Sequence, residues 1–113
     1  MAKDIGYACN VVGDAELAQQ LEELEVAGCD QIIRDRLASG HAKERGGLEF
    51  ALSALEPGDT LTVCQAYMLS PSIRETLDVV DLILNKGGSL RTLRYPDESL
   101  VYLCELKDRW KSH

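Results

Sequence analysis

The sequence has little of what marks a secreted, membrane-spanning or general nucleic-acid-binding protein. Aromatic residues make up 5% of its 113 residues, and 12 basic residues stand against 19 acidic ones, which gives a net charge of −7. A chain this acidic has no general attraction to phosphate backbones. No apolar run approaches the ~20 residues of a membrane helix, and the start "MAKDIGYA" lacks the apolar core of a signal peptide. We therefore expect a cytoplasmic protein with one compact domain.

The cysteines do not form a metal or disulfide pattern. They contain no C-x-x-C pair and have no histidine at ligand spacing, whereas zinc sites need clustered ligands. An isolated cysteine in an apolar run usually behaves as a small hydrophobic residue. We therefore predict no metal and no cofactor, and structural roles for the four cysteines. These are Cys9, Cys29, Cys64 and Cys104.

What the sequence does contain is an alternation of short apolar strands and amphipathic helices. Strands are predicted at residues 5–8, 31–35, 60–64 and 89–93, with helices at 14–28, 48–55, 72–86 and from 97 onwards. This order is typical of an α/β domain with a mostly parallel sheet. We expect residues 1–113 to form a single three-layer domain, with a four- to five-stranded sheet and helices on both faces.

Capping residues and glycines indicate where these helices begin and end. Asp14 is predicted to cap the first helix and Gly28 to end it. Ser72 followed by Glu75 has the spacing of a capping box for the third helix. The polar stretch "RLASGHAKERGG" at residues 36–47 predicts a mobile loop. The residues predicted to be buried by the third helix are Ile73, Leu77, Val80 and Leu84.

The turn after the first strand, "CNVVGD" at residues 9–14, lies where open α/β sheets carry ligand sites. It contains no acid, base or cation before Asp14, which excludes a phospho-accepting receiver site. Its one glycine falls short of the Rossmann fingerprint, and neither a P-loop nor a G-x-S-x-G nucleophile elbow is present. The residues alone predict an α/β domain and identify no reaction.

A series of short motifs resembles the catalytic domain of serine recombinases, the resolvase/invertase family. In order they are "IGYA", "LAQQLEEL", "AGCDQII", "ASG", "RGGLEFALSAL" and "PGDTL". The likeness runs from about Ile5 to Leu93 and implies a resolvase-like fold related to DNA strand exchange. In that family a serine attacks a DNA phosphodiester, and arginines stabilise the charge that builds on the phosphoryl oxygens.

The same resemblance implies that the catalytic positions are substituted in this chain. The family's first arginine falls on Cys9, and its nucleophilic serine falls on Val11, which has no nucleophilic atom. After the third strand, the family's acid falls on Tyr67 and its two arginines on Met68 and Pro71. The expected protein is therefore a pseudo-enzyme with a degenerate site.

Three residues match the family at functional positions, so two alternative functions stay open. Asp14, Ser39 and Arg45 match an acidic position, a loop serine and a loop arginine of the family. One alternative is an active recombinase that uses Cys9 or Ser39 as a substitute nucleophile. Another is a regulatory domain that binds a small ligand or an anion in the vacated site.

The last predicted helix indicates association with another chain. Leu100, Leu103 and Trp110 share a stripe with Cys104, and the resemblance implies that this helix pairs two protomers. We expect this helix to be shorter than the family's and not to be followed by a helix-turn-helix. We therefore expect a homodimer, or association with a related recombinase, and weak DNA binding by this domain alone.

Overall fold

The computed structural model describes residues 2–10, 13–36, 46–65 and 73–94. Within them, four strands form one parallel sheet in the order β2-β1-β3-β4. The elements in chain order are β1 (Asp4–Cys9), α1 (Asp14–Val26), β2 (Gln31–Asp35), α2 (Gly46–Ala54), β3 (Thr60–Val63), α3 (Ile73–Asn85) and β4 (Ser89–Thr92). The predicted parallel α/β fold is confirmed, and the helix predicted from Asp97 lies outside the described residues.

The alternation of β1 side chains divides the interior into two cores. Ile5, Tyr7 and Cys9 pack on one face of the sheet with α2 and α3. Ala8 packs on the opposite face with α1, because successive side chains of a strand point to opposite faces. Helices thus cover both faces, as a parallel sheet requires, and the predicted three layers are confirmed.

The start of α1 differs from the prediction that Asp14 caps it. Asp14 is the first helical residue, and Gly13 precedes it as the cap residue with φ 127 and no side-chain capping bond. The Asp14 carboxylate instead pairs with Arg36 at 2.7 Å. Glycine is an acceptable cap residue, and a carboxylate in the first turn is favoured by the helix dipole.

The ends of α1 and α3 follow the prediction, but one buried position in α3 does not. Gly28 and Gly87 adopt positive φ values of 83 and 79 and end the two helices. Leu84 is 48% exposed, whereas Ile83 is fully buried. Ile83 lies three residues after the buried Val80 and so continues the core stripe of α3, while Leu84 is rotated by about 100° from it. The Ser72 cap and the Ile73 side chain lie outside the described residues.

The polar stretch after β2 is also shorter than predicted. Gly46 and Gly47 belong to α2 rather than to the loop, because the carboxylate of Asp35 binds the N–H groups at the start of this helix. Residues 37–45 lie outside the described ones. None of the described helices is long and apolar enough to cross a membrane.

Candidate functional site

The strand order places a candidate site where β1 and β3 end side by side. From β1 the chain crosses to β2 on one side, and β3 lies on the other. Such a switch point in a parallel sheet opens a crevice at the carboxyl ends of the strands. Cys9 ends β1 here, and Cys64 follows β3.

Two of the predicted site residues, Cys9 and Asp14, lie in the described part of the chain. The other predicted catalytic positions and the predicted interface residues lie outside it, so their predictions stay predictions. These are Val11, Ser39, Arg45, Tyr67, Met68, Pro71, Leu100, Leu103 and Trp110.

Cys9 is fully buried in the core beneath α2 and α3, and Gln20 of α1 fixes its backbone. The Gln20 Nε2 donates to the Cys9 carbonyl at 3.0 Å, and the Cys9 N–H donates to the Gln20 Oε1 at 3.3 Å. β3 ends at Val63, which pairs with Tyr7, so the Gln20 amide continues the hydrogen bonding where the strand stops. The end of β1 is thereby held rigidly with an apolar side chain inward.

Sequence reasoning missed Gln20, although a signal was present. Leu17, Gln20 and Leu24 are the buried residues of α1, and their spacing of three and four places Gln20 on the core stripe. A glutamine on such a stripe must bind another buried polar group. The backbone of Cys9 at the end of the first strand is the group that it binds.

Asp35, at the end of β2, fixes the start of α2. Its Oδ1 accepts the Gly47 N–H at 2.7 Å, and its Oδ2 accepts the Leu48 N–H at 3.0 Å and the Tyr7 hydroxyl at 2.8 Å. A carboxylate is favoured at a helix N-terminus by both the free N–H groups and the dipole. The two ends of the segment 37–45, which carries Ser39 and Arg45, are therefore held together.

Arg94, just after β4, carries a positive charge that is already neutralised. Its Nη2 and Nε lie 2.7 and 3.2 Å from the Glu23 Oε2, and its Nη1 pairs with Glu16. The guanidinium lowers the pKa of Glu23 by hydrogen bonding. Glu23 is half-buried, with 33% of its side chain exposed. Two carboxylates around one cation leave this cluster with a net negative charge, which is unsuited to a phosphodiester.

The described cysteines are free thiols and none is shown to be activated. Burial, with the nearby Glu23 charge, raises the pKa of Cys64 to about 12. Burial, with the charge of Asp4, raises the pKa of Cys29 to about 11. The thiolate is the reactive form of cysteine, so these two groups are poor nucleophiles at neutral pH.

Asp14 borders a cavity on the β2 side of α1. The cavity has a volume of about 390 Å³ and is lined by Asp14, Leu17, Ala18, Leu21, Arg34 and Arg36. The Arg36 guanidinium, by hydrogen bonding, holds the pKa of Asp14 below its ordinary value. Arg34 and Arg36 are two residues apart along β2 and beyond its end, so they lie on the same side. In the described ranges, no three Cys, His, Asp or Glu side chains come together as a metal site would require.

Comparison with known proteins identifies relatives along most of the chain. The sequence profile described as "Resolvase, N terminal domain" matches residues 5–101. The DNA-invertase of Escherichia phage P1 is 37% identical over 89 residues, which cover 79% of this chain and 47% of the invertase. The serine recombinase gin of Escherichia phage Mu is 36% identical over 89 residues, or 79% of this chain and 46% of gin. The chain thus spans about half the length of the curated relatives it matches.

Solved structures share the fold. The N-terminal catalytic domain of TP901-1 integrase matches with a TM-score of 0.67 and 19% identity, over 97% of this chain and 98% of that one. The C-terminal catalytic domain of ISC1926 TnpA, an IS607-like serine recombinase, matches with a TM-score of 0.65 and 15% identity, over 90% of this chain and 76% of that one. At these identities the likeness concerns the arrangement of the sheet and its helices.

Proposed function

The chain belongs to the resolvase family of serine recombinases, and from that premise we propose a member that no longer catalyses DNA strand exchange and acts through protein–protein association. Its relatives bear the names DNA-invertase and serine recombinase. Site-specific DNA recombination is therefore the process to which we assign this domain. We take residues 1–113 as one catalytic-type domain.

The observation that carries this proposal is the burial of Cys9. At the position that the resemblance gives to the first catalytic arginine, the side chain is fully buried and packs in the apolar core. It therefore offers neither a cation to a phosphate nor an accessible thiol as a substitute nucleophile. Val11, at the serine position, has no nucleophilic atom. Removing a single preorganised contact commonly costs about 3 kcal/mol of transition-state stabilisation.

The charge around Arg94 supports the same conclusion. Phosphoryl transfer depends on positioning and on neutralising the charge of the phosphoryl oxygens. Arg94 stands beside the end of β3, since its N–H donates to the Cys64 carbonyl at 3.0 Å. Its guanidinium is occupied by Glu16 and Glu23, so it cannot replace a missing catalytic arginine without breaking both pairs.

A chimera tests the loss of catalysis in a chain of the invertase's full length. The domain replaces the matching first half of the phage P1 DNA-invertase, and the chimera is incubated with supercoiled plasmid that carries the invertase's sites. We expect no covalent protein–DNA adduct and no inversion, whereas the parental invertase gives both. A second chimera restores the family residues through Cys9→Arg, Val11→Ser, Tyr67→Asp, Met68→Arg and Pro71→Arg.

The restored chimera shows whether inactivity comes from the missing catalytic residues or from a failure of the chimera to assemble. Adduct formation by the restored chimera, together with none by the first, is the expected result. An adduct with the unrestored domain contradicts the proposal, and its disappearance with Cys9→Ala or Ser39→Ala identifies the substitute nucleophile. If neither chimera forms an adduct, the five substituted residues do not explain the lack of catalysis. This result contradicts the proposal that their loss made the domain inactive.

The cavity beside Asp14 favours a second candidate function, binding of a small anion. Arg34 and Arg36 line a cavity with an apolar wall from α1, and because Arg36 is paired there with Asp14, Arg34 is the residue that we assign to the anion. Arginine is well suited to phosphate and carboxylate groups. Titration with inorganic phosphate, followed by amide shifts in NMR, tests this function. Shifts at the cavity that disappear in Arg34→Gln support it, and no shifts at millimolar phosphate contradict it.

We also place the proposed association on the last segment of the chain. Leu100, Leu103 and Trp110 recur at helical spacing, and large aromatic residues often anchor interfaces. The partner that this surface fits is a second copy of the chain or a related recombinase.

A further inference from the structure

Arg34 differs from the other arginines around the sheet in having no acidic partner within the described ranges. Arg36, Arg91 and Arg94 each form an ion pair with a carboxylate. Arg34 lies on β2 and lines the cavity of about 390 Å³ between this strand and α1. Its positive charge is therefore available to a ligand in that cavity.

The wall that α1 contributes to this cavity is mostly apolar. Leu17, Ala18 and Leu21 line the cavity together with Asp14. Positions 14, 17, 18 and 21 form one stripe of a helix, because residues three and four apart are neighbours on its surface. Asp14 is the first residue of the helix, so the stripe is charged at its start and apolar along the rest.

The fold places Arg34 beside the apolar part of this wall. α1 connects two parallel strands and runs opposite to them, so its start lies at the carboxyl end of β2, where Asp14 pairs with Arg36. Arg34 is two residues, or about 7 Å, back along the strand. Leu17 and Leu21 are about 4.5 and about 10.5 Å further along α1 than Asp14. Arg34 therefore lies at the level of these two leucines.

The charges on the cavity walls favour a ligand with a single negative charge. Arg36 and Asp14 neutralise each other at one end, which leaves the charge of Arg34 unbalanced. The Arg36 guanidinium, by hydrogen bonding, lowers the pKa of Asp14, so Asp14 is ionised at neutral pH. A second negative charge on the ligand would be repelled by Asp14 and would have no further cation of the cavity to pair with.

A carboxylate that carries an apolar chain matches both the charge and the apolar wall. A guanidinium binds a carboxylate through two parallel hydrogen bonds. Ala18 is exposed and Leu21 is half-buried, so a chain that covers them removes apolar surface from water. The volume of about 390 Å³ lies at the lower end of the range of about 300–1,000 Å³ for small-molecule pockets, which favours a small ligand.

We propose that the cavity between α1 and β2 binds a small monocarboxylate with an apolar chain. Arg34 holds the carboxylate, and Leu17, Ala18 and Leu21 contact the chain. This inference rests on the anion-binding function proposed above for the same cavity and names the class of anion. It does not depend on whether the domain has lost catalysis.

Titration of the full chain with four probes, followed by amide shifts in NMR, tests the inference. Hexanoate has both the charge and the chain, acetate lacks the chain, hexanol lacks the charge, and inorganic phosphate has more charge and no chain. Each fully buried methylene group improves affinity about fourfold. We therefore expect hexanoate to bind at least about tenfold more tightly than the other three probes, with shifts at the residues that line the cavity.

Arg34→Gln removes the guanidinium from an exposed position and should weaken hexanoate binding to the level of hexanol. Arg91→Gln is the matched control and should leave binding unchanged, since Arg91 is about half exposed on β4 and the cavity is lined from α1 and the β2 side. Circular dichroism checks that both variants are folded. The dipeptide acetyl-leucyl-leucine presents the same chemistry at the end of a peptide. Tighter binding of the dipeptide than of hexanoate supports a chain terminus as the source of the carboxylate, and the reverse supports a free acid.

The outcomes separate this inference from the broader anion-binding function. If hexanoate binds no more tightly than phosphate and Arg34→Gln abolishes the binding of both, the chain plays no part, and the inference is wrong while anion binding stands. Absence of shifts with every probe contradicts both. Hexanoate binding that persists in Arg34→Gln, or equal binding of hexanol and hexanoate, shows that Arg34 does not hold a carboxylate there and overturns the inference.

Discussion

Arg94 and Glu23 join the residue just after β4 to the last turn of α1 through two nitrogens of one guanidinium, at 2.7 and 3.2 Å from a single carboxylate oxygen. Both side chains are largely withdrawn from water, with exposures of 21% and 33%. A further pair with Glu16 holds the same guanidinium. These contacts fix α1 to the chain just after β4.

Arg94→Ala is expected to destabilise the domain by about 2–4 kcal/mol, because it leaves two partly buried carboxylates without their cation. Urea unfolding followed by circular dichroism measures the change. Arg91→Ala is the control: Arg91 is about half exposed and reaches Asp4 at 3.4 Å, so its loss should cost less than about 1 kcal/mol. If Arg94→Ala and Arg91→Ala lower the free energy of unfolding equally, the stabilising role assigned to the Arg94 ion pairs is wrong.

The same cluster predicts a pH dependence. Arg94 lowers the pKa of Glu23 in the folded state, so the pair contributes its full stability above the unfolded value of about 4.3. That contribution is lost as the pH falls through the folded pKa. The stability difference between wild type and Arg94→Ala should therefore narrow below pH ~4. A difference that stays constant down to pH ~3 would show that packing rather than charge accounts for it.

Gln20→Ala is expected to cost about 2–4 kcal/mol, since it leaves the Cys9 N–H and carbonyl without this partner in the interior. The adjacent Gln19 is exposed, so Gln19→Ala controls for the helix itself and should change stability by less than about 0.5 kcal/mol. Hydrogen exchange of the Cys9 amide provides a local readout. Unchanged protection of that amide in Gln20→Ala would contradict the role assigned to Gln20.

The fold was predictable from the sequence because its signals are local. The short apolar pair in "QIIRD" predicted β2 with its observed bounds, Gln31–Asp35, and Gly28 and Gly87 end their helices where expected. Leu84 was wrongly placed in the core, because Ile83 and Leu84 are both apolar and only packing against the sheet decides which of them is buried.

The contacts that shape the site are long-range and could not be predicted in the same way. Asp35 binds the start of α2, and Arg94 binds Glu23 from the far end of the described chain. No spacing rule links such positions, because the folded sheet brings them together. The prediction of a degenerate site came instead from the resemblance, and of its residues only Cys9 and Asp14 lie in the described structure.

Two neighbouring glycines at the start of α2 should respond oppositely to the same substitution. A Cβ on Gly47 would lie 2.6 Å from the Asp35 Oδ1, whereas a Cβ on Gly46 would meet nothing within 4 Å. Gly47→Ala should therefore displace Asp35 and cost about 1–3 kcal/mol, while Gly46→Ala should be neutral or stabilise by up to about 1 kcal/mol. Thermal unfolding of both variants measures this contrast, and equal midpoints would contradict the Asp35 cap.

DNA binding by the domain alone is expected to be weak, with little dependence on salt. The net charge of −7 opposes phosphate contacts, and the slope of affinity against salt counts the phosphates that are neutralised. Fluorescence anisotropy with a labelled duplex at two ionic strengths measures both quantities. Micromolar binding that falls steeply between about 50 and 200 mM salt would reveal a basic surface and contradict the prediction.

The last prediction concerns the association proposed for residues 100–110. We expect a dimer at micromolar concentration, because a stripe with Leu103 and Trp110 leaves apolar surface that a small domain covers only in part. Trp110→Ala should weaken the dimer and leave the monomer folded, while Leu103→Asp should disrupt it further by placing a charge in the contact. Sedimentation velocity of the three proteins, with circular dichroism as the folding control, measures the effect. A wild type that stays monomeric up to about 100 μM, where pairs near −5.5 kcal/mol are populated, would rule out this interface.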